Sequence, residues 1–226
     1  VIITSSGRVL EGGHRGFVEW LAHHGLEGSV VENRPLPPFA DEKKPPENGW
    51  TVGYIGRVRD IRSFELLVEA VKTIPAFERP KLRVAGDGTA ASKVRTLLMS
   101  EVEAGTIEAE VSGAFSQSEL PELLQSVDVM YAMYSPQRGN VLQGALPVKV
   151  FDAASGGVPS VVNAGCLMAD VVVSENIGAH APWGDAESVG QALRSLRDTV
   201  AELAATGERE HQRWLSAMNP VLEVLQ

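Results

Sequence analysis

The sequence predicts an α/β protein in which a parallel, Rossmann-like sheet carries helices on both faces. Two observations support this fold class. From Thr51 to about Ala181, short apolar runs alternate with amphipathic segments, which is the pattern of βαβ units. Two of the runs end in a glycine turn, at Gly56 and at Gly86. Because parallel sheets bind ligands at the carboxyl ends of their strands, we expect functional residues in the turns that follow the strands.

Hydrophobic periodicity assigns the individual elements. The helix after the first strand, for example, has Phe64, Leu67, Val68 and Val71 on one face. A later helix has Pro147 near its first turn, where proline is favoured. The predicted strands are 51–56, 81–85, 106–112, 127–131, 159–162 and 177–182. The predicted helices are 63–74, 90–103, 119–126, 147–155 and 186–205.

The first 45 residues follow a different pattern. They predict a strand at 1–5, a helix at 16–24 and a strand at 29–32, followed by a charged, proline-rich linker that begins at Arg34. A strand, a helix and a strand cannot form a core of their own. The segment is therefore either an extra layer on the main sheet or the end of another domain. Because the chain begins at Val1 inside a predicted strand, we expect it to be a fragment.

Composition excludes several classes of protein. The chain has 226 residues, 44% of them hydrophobic, and its 20 Lys and Arg against 29 Asp and Glu give a formal charge of −9. A general electrostatic nucleic-acid binder needs an excess of cations and is excluded. The negative charge does not exclude a local phosphate site, because salt screens a distant acidic surface within about 8–10 Å. The single cysteine, Cys166, cannot form an internal disulfide, and no apolar run reaches the ~18 residues of a membrane span.

The turn after the first predicted strand carries two candidate anion-binding side chains. Gly56 permits close approach of the backbone, and Arg57 and Arg62 are placed to hold an anion at the start of a helix. The alternative is a solvated basic turn in which the arginines pair with Asp60 or Glu65.

Three further turns are candidates. Gly86 and Gly88 form a second turn at the end of a strand. The alternative to a ligand-binding role is that it is only a tight turn. Ser112 and Gly113 end the third strand, and the hydroxyls of Ser116 and Ser118 that follow are interpreted as helix N-caps.

The fourth turn lies ahead of the helix that is predicted to begin at Pro147. Gly144 and Ala145 can present backbone N–H groups there. Lys149 and Asp152, three residues apart, share one face of that helix. The alternative for this pair is a surface ion pair, which stabilises a protein by less than about 1 kcal/mol.

The order and spacing of these motifs resemble the retaining glycosyltransferases of family 4 (glycosyl transferases group 1), which have the GT-B fold. The resemblance runs from about Trp50 to Gln226 and rests on the segments GRVRDIRSFELLVEA, LRVAGDG, VSGAFSQSELPELLQSVDVMY and LPVKVFDAASGGVPSVV, followed by a late helix that contains Trp214. In that family two Rossmann-like domains face a cleft, and the C-terminal one holds a nucleotide-sugar donor. The resemblance implies that 46–226 is this C-terminal domain. Residues 1–45 are then a remnant of the N-terminal domain with the interdomain linker.

The resemblance also assigns roles to residues of the four turns. In the family an Arg and a Lys hold the donor diphosphate; Arg57 matches the first, and Arg62 stands where the Lys is expected. Asp152 matches a glutamate that binds the ribose, whereas Gly144 stands where a second glutamate is expected near the sugar. The implied diphosphate-binding residues are Arg57, Arg62, Ala145, Leu146 and Lys149. The implied nucleoside-binding residues are Gly56, Gly86, Gly88, Ser112, Gly113 and Asp152.

The implied function is that of a hexosyltransferase of polysaccharide or glycolipid biosynthesis, acting with retention on a saccharide or lipid-linked acceptor. Because the acceptor site lies in the other domain, we expect this chain to bind the donor without transferring the sugar. No metal or other cofactor is expected, and the expected location is cytoplasmic or peripheral at the inner face of the membrane. A GT-B nucleotide-sugar epimerase and a non-catalytic interaction domain of this fold are the alternatives.

Overall fold

A computed structural model describes residues 3–4, 6, 16–35, 43, 46, 49–199 and 206–225. The strands in this part of the chain are β1 (Ile3–Thr4), β2 (Ser29–Val30), β3 (Thr51–Ile55), β4 (Lys81–Ala85), β5 (Glu108–Ser112), β6 (Val129–Tyr131), β7 (Ser160–Asn163) and β8 (Gly178–Ala181). The α-helices are α1 (Phe17–His23), α2 (Ile61–Thr73), α3 (Ala91–Glu103), α4 (Leu120–Gln125), α5 (Gly139–Leu142), α6 (Val148–Ser155), α7 (Leu167–Ser174), α8 (Ala186–Arg197) and α9 (Thr206–Leu225).

Six strands form one parallel sheet in the order β5-β4-β3-β6-β7-β8. The first strand of this series, β3, lies in the middle and pairs with β4 on one side and with β6 on the other. The order of the strands therefore reverses between β3 and β6. In open α/β sheets, ligands bind in the crevice at such a switch point. The predicted α/β fold with a parallel sheet is confirmed.

The core has a layer on each face of the sheet. On one face, Val52, Tyr54 and Tyr131 of the strands pack with α2, α3 and α8 around the fully buried Phe64. On the other face, α4 packs against the ends of β3 and β6, and α6 and α7 pack against β7. The alternation of strand residues between two apolar layers is what a sheet covered on both faces requires.

The predicted strands and helices between 51 and 182 are present, with differences at their ends. Strand β6 begins at Val129 rather than at 127, and α8 ends at Arg197, whereas the prediction extended to 205. Residues 200–205 lie outside the described residues, as does most of the predicted linker. Two helices, α5 and α7, were not predicted. The final helix with Trp214 is observed as α9.

The N-terminal strands do not extend the main sheet. In the described part of the chain, β1 and β2 pair with each other in a separate two-stranded parallel sheet, joined by α1. In the described residues these two strands therefore add no strand to the main sheet. The division of the chain into a remnant at 1–45 and a domain at 46–226 stays a prediction.

A buried ion cluster joins the segment after β2 to the main domain. The guanidinium of Arg34 donates to Glu32 at 2.8 Å, to Glu175 at 2.7 Å and to Glu210 at 2.6 Å. Glu175 follows α7, and Glu210 lies on α9, so one side chain holds three parts of the chain together. Arg213 of α9 pairs with the last two of these glutamates.

Candidate functional site

A cleft of about 370 Å³ opens at the carboxyl ends of β3 and β6, at the switch point of the sheet. Five apolar side chains that pack together line part of it: Ile55, Phe115, Leu120, Leu124 and Met130. They come from the ends of β3 and β6, from α4 and from the segment before α4. The cleft therefore has an apolar wall, and apolar side chains of this kind line many ligand pockets.

The other residues of the cleft include four cations. Arg57 and Arg59 follow β3, Arg138 precedes α5, and Lys149 lies in the first turn of α6. Of the described residues that line the cleft, one carries a carboxylate: Asp152, one turn further along α6. A surface with this excess of positive charge attracts an anion despite the overall charge of −9.

The two arginines after β3 are exposed. The Arg57 guanidinium donates to Asp87 Oδ1 at 2.9 Å, with exposed side-chain fractions of 65% and 53%. Separating an ion pair that is this exposed costs little free energy. The Arg57 side chain can therefore turn to an anion in the cleft. The backbone carbonyl of Arg57 accepts a hydrogen bond from the Tyr54 hydroxyl at 2.7 Å, which fixes the start of the turn. Burial raises the pKa of Tyr54 to about 12, so this hydroxyl keeps its proton.

Lys149 is enclosed between aromatic rings. Its Nζ lies 3.4 Å from the centroid of the Tyr54 ring and 5.6 Å from that of Tyr134. No described atom accepts a hydrogen bond from this buried nitrogen. Desolvation lowers the pKa of Lys149 to about 7, and repulsion by Arg138 acts in the same direction, against the attraction of Asp152.

Lys149 and Asp152 do not form the surface ion pair that was the alternative for them. Among the ion pairs of the described residues none joins these two side chains, because the lysine is drawn onto the ring of Tyr54. Burial raises the pKa of Asp152 to about 6, and Lys149 opposes this only in part. The two groups therefore titrate close to neutral pH, which is common in ligand sites.

Hydrogen bonds and a cation–π contact hold Tyr134, the aromatic lining residue of the loop after β6, in place. The side-chain amide of Asn163, at the end of β7, accepts from Tyr134 N and donates to Tyr134 O, both at 2.8 Å. The guanidinium of Arg138 lies 5.1 Å from the centroid of the Tyr134 ring. The buried Cys166 thiol donates to Asn163 O at 3.2 Å. Cys166 is thus a small buried residue of this part of the core.

The predicted site residues fall into three groups. Gly56, Arg57, Lys149 and Asp152 line the cleft together. Gly86, Ser112 and Gly113 line a different hollow of about 250 Å³, beside the start of α3. The described residues that line these two cavities do not include Arg62, Gly88, Ala145 or Leu146.

Gly86 and Gly88 have a packing role that the sequence did not reveal. A Cβ on Gly86 would lie 1.9 Å from the carbonyl oxygen of Gly56, and one on Gly88 would lie 2.2 Å from that of Val58. The turn after β4 thus packs directly on the turn after β3. Both glycines also have positive φ, at 148° and 146°. Their proposed contact with a nucleoside stays a prediction.

Arg62 is held at the helix start rather than in the cleft. Its guanidinium donates to Asp60 at 3.2 and 3.3 Å, and Asp60 also caps α2 by accepting from Arg62 N. This is the pairing foreseen as the alternative. The next residue, Ser63, is buried, and its hydroxyl donates to Met133 O at 2.8 Å.

The backbone ahead of α6 is bonded within the protein. Gly144 N donates to Val141 O at 3.3 Å, and Ala145 N donates to Asn140 O at 3.0 Å, so these amides close the end of α5. The expectation that they are open to an anion is wrong for this structure. Gly144 has φ of 90°, a conformation that favours glycine and accounts for its presence where the family has a glutamate. Leu146 is buried in the core.

Sequence reasoning missed four cleft residues, Arg59, Arg138, Tyr134 and Phe115. It also missed Tyr54, whose ring lies against Lys149. Arg59 lies in the same basic turn as Arg57, two residues further on, so the turn itself was a signal for it. Tyr134 and Arg138 lie in the loop after β6, and the position of β6 at the switch point made that loop a place to search.

Comparison with protein families decides the identity of this domain. The family described as glycosyl transferases group 1 matches residues 49–199. This chain belongs to that family. The matched residues include β3 to α8 and hence the whole cleft. The group 1 glycosyltransferase resemblance of the sequence is confirmed. Among curated proteins, none matches the chain.

Solved structures of other proteins share the fold. The catalytic domain of cholesterol-alpha-glucosyltransferase from Helicobacter pylori has 16% identity and a TM-score of 0.54, over 76% of this chain and 99% of that one. HepE of Anabaena, in complex with UDP and glucose, has 14% identity and a TM-score of 0.67, over 100% and 62%. Sucrose-phosphate synthase from Thermosynechococcus elongatus has 16% identity and a TM-score of 0.68, over 92% and 54%. This group 1 domain thus spans little more than half the length of the last two proteins.

Two features are absent from the described residues. No helix there is long and apolar enough to cross a membrane. No group of three or more His, Cys, Asp or Glu side chains in that part of the domain could hold a metal ion. That the protein needs no metal or other cofactor stays a prediction.

Proposed function

We propose that this domain binds the nucleotide-sugar donor of a retaining glycosyltransferase in the cleft between β3, β6 and α6. The observation that carries the proposal is the grouping of Arg57, Arg59, Arg138 and Lys149 beside an apolar wall at the switch point of the sheet. A nucleoside diphosphate has two parts that are complementary to these: a diphosphate with about two negative charges for the cations, and an aromatic base for the apolar wall.

The diphosphate is held by the cations and by the start of α6. The first N–H groups of an α-helix have no acceptor within the helix, and the helix dipole favours negative charge there. In α6 these are the amides of Val148 and Lys149, both of which belong to lining residues. Charge-assisted hydrogen bonds of this kind contribute about 1.5–3 kcal/mol each.

The nucleoside lies on the apolar side. The base packs on the wall that contains Phe115, and Asp152 accepts hydrogen bonds from the ribose hydroxyls. A carboxylate can accept two such bonds at once, and one methylene fewer than in glutamate places it closer to α6. The Anabaena protein HepE has been crystallised in complex with UDP-glucose, which supports a nucleotide sugar as the ligand class.

Sugar transfer itself is proposed for the longer protein. Group 1 membership supports a transferase, and the retention of configuration, the sugar and the acceptor are part of this proposal. The isolated 226-residue chain is expected to bind the donor without turnover. Assaying the chain for release of nucleoside diphosphate, with and without acceptor sugars, tests this; sustained turnover would contradict it.

Isothermal titration calorimetry tests the binding proposal. UDP-glucose, GDP-mannose and ADP-glucose are titrated into the wild-type chain and into the Arg57→Ala and Arg138→Ala variants. Arg194→Ala serves as control, because Arg194 pairs with Glu78 on the surface at 2.5 Å and is not a cleft residue. We expect one nucleotide sugar to bind, each cleft variant to lower its affinity by about 10–100-fold and the control to leave it unchanged. If none of the three nucleotide sugars binds to the wild-type chain, the proposal is overturned.

A further inference from the structure

Lys149 is held in the free protein by contacts that do not use its hydrogen-bonding capacity. Its Nζ faces the Tyr54 ring at 3.4 Å. On the side of β3, a Cβ on Gly56 would lie 3.5 Å from the same nitrogen. An ammonium group has three N–H donors, and none of them meets an acceptor among the described residues. This is an unusual environment for a charged lysine.

The charged groups around Lys149 act in opposite directions. Arg138, which lies over the Tyr134 ring, repels a positive charge on Nζ. Asp152, on the same helix, attracts it. The π faces of Tyr54 and Tyr134 favour the ammonium form, whereas loss of hydration disfavours it. Arg57 and Arg59 line the same cleft and add positive charge.

We propose that Lys149 is a proton-coupled donor-binding residue: it takes up a proton when the diphosphate binds and then donates hydrogen bonds to a phosphate oxygen. The proposal rests on the proposed function, since it requires an anion in the cleft. An anion with about two negative charges supplies the acceptors that Nζ lacks and offsets the repulsion by Arg138. Both effects favour the ammonium form in the complex.

The lowered pKa of Lys149, about 7, makes the coupling measurable. At pH 8 a group with this pKa is about 90% uncharged, so binding that requires the ammonium form takes up about 0.9 proton. Asp152, with its pKa of about 6, is already ionised at pH 8 and contributes little to the proton count. The affinity is expected to fall by about fivefold from pH 7 to pH 8 and by about ninefold from pH 8 to pH 9.

The experiment counts protons by calorimetry. The nucleotide sugar that binds in the panel of UDP-glucose, GDP-mannose and ADP-glucose is titrated at pH 8 in buffers with different ionisation enthalpies. Nucleotide sugars are suitable probes because the doubly esterified diphosphate does not itself titrate near pH 8. We expect uptake of about 0.9 proton by the wild-type chain and an affinity that decreases from pH 7 to pH 9.

Two variants distinguish the contribution of Lys149 to proton uptake from that of the other cleft residues. Lys149→Arg is always charged, so it should bind with no proton uptake and with an affinity that is constant from pH 7 to 9. Lys149→Met should bind more weakly, also without uptake. Thermal melts of both variants verify that they are folded.

The outcomes distinguish this inference from the proposed function. Binding without proton uptake in the wild-type chain, or equal uptake in Lys149→Arg, overturns the role of Lys149 and leaves the donor site intact. Failure of all three nucleotide sugars to bind overturns the donor site and, with it, the coupling.

Discussion

The guanidinium of Arg34 lies 4.2 Å from the centroid of the Phe151 ring. Phe151 is the residue before Asp152 on α6, and it is fully buried. The ion cluster that joins the N-terminal segment and α9 to the domain therefore rests on the helix that carries Lys149. A guanidinium stacked on an aromatic face in a buried position also gains cation–π stabilisation.

Arg34→Met should strongly destabilise the domain. Arg34 is 4% exposed and pairs with three carboxylates that are themselves at most 8% exposed. Removing it takes the guanidinium away from all three carboxylates, and breaking a buried ion pair from one side costs about 3–5 kcal/mol. Urea denaturation followed by circular dichroism measures the loss. Arg194→Met, which breaks a surface pair with Glu78, is the matched control and should cost less than about 1 kcal/mol. Equal losses in the two variants would contradict the importance of burial.

Gly86→Ala should destabilise the domain, whereas Gly113→Ala should not. At Gly86 the new Cβ would lie 1.9 Å from Gly56 O, at a φ of 148° that L-residues rarely adopt. Backbone strain and overpacking together give an expected cost of about 2–4 kcal/mol. At Gly113 no atom lies within 4 Å of the added Cβ, so the expected cost is below about 1 kcal/mol. Thermal denaturation of both variants tests the difference; a stable Gly86→Ala protein would show that the two turns can move apart.

The order of strands and helices in the main domain could be predicted because each element carries its own periodic pattern. Strand β3 and helix α2 are examples, with a short apolar run followed by an amphipathic segment. Helix α7 was missed because Leu167–Ser174 is apolar on nearly all sides, and such a segment has no helical stripe to detect. Helix α5 has four residues, too few for a period to appear.

The candidate site could be predicted only in part. Residues next to the ends of strands, such as Arg57, were found because topology brings strand ends together. The environment of Lys149 could not be predicted, since it depends on tyrosines from β3 and from the loop after β6. The same holds for Arg62: its choice of Asp60 over the cleft depends on side-chain rotamers that the sequence does not determine.

Arg57→Ala should weaken donor binding more than Arg62→Ala. Arg57 lines the cleft, whereas Arg62 is engaged by Asp60 at the start of α2. We expect a loss of about 10–100-fold for the first variant and less than about threefold for the second, measured by calorimetry with the nucleotide sugar that binds.

If both losses are equally large, the Arg62 side chain must leave Asp60 when the donor enters, as the family resemblance implies. Asp60→Asn then provides a further test. It weakens the hold on Arg62, and donor affinity should rise only if Arg62 has to be released.

The stability of the domain should respond to pH through Asp152 and Lys149 in opposite senses. The pKa of Asp152 is about 6 in the folded protein against a usual 3.8, so the folded state holds more protons between these values. Stability therefore falls as pH rises from about 4 to 6. The pKa of Lys149 is about 7 against a usual 10.5, so the folded state holds fewer protons between these values, and stability rises from about pH 7 to 10.

Two variants isolate these contributions, because all other groups cancel when each variant is compared with the wild-type chain at the same pH. Asp152→Asn should gain stability relative to wild type as pH rises from 4 to 6 and keep the gain above pH 6. Lys149→Met should be relatively most stable below pH 7 and lose that advantage towards pH 10. Each difference should reach on the order of 1–2 kcal/mol in urea denaturation, because both side chains are only half-buried. This is well below the roughly 3 and 5 kcal/mol that the full separations of the pKa values of Asp152 and Lys149 would allow. A difference between Lys149→Met and wild type that stays constant from pH 6 to 10 would mean that Nζ is charged throughout. The Tyr54 ring would then compensate fully for the lost hydration.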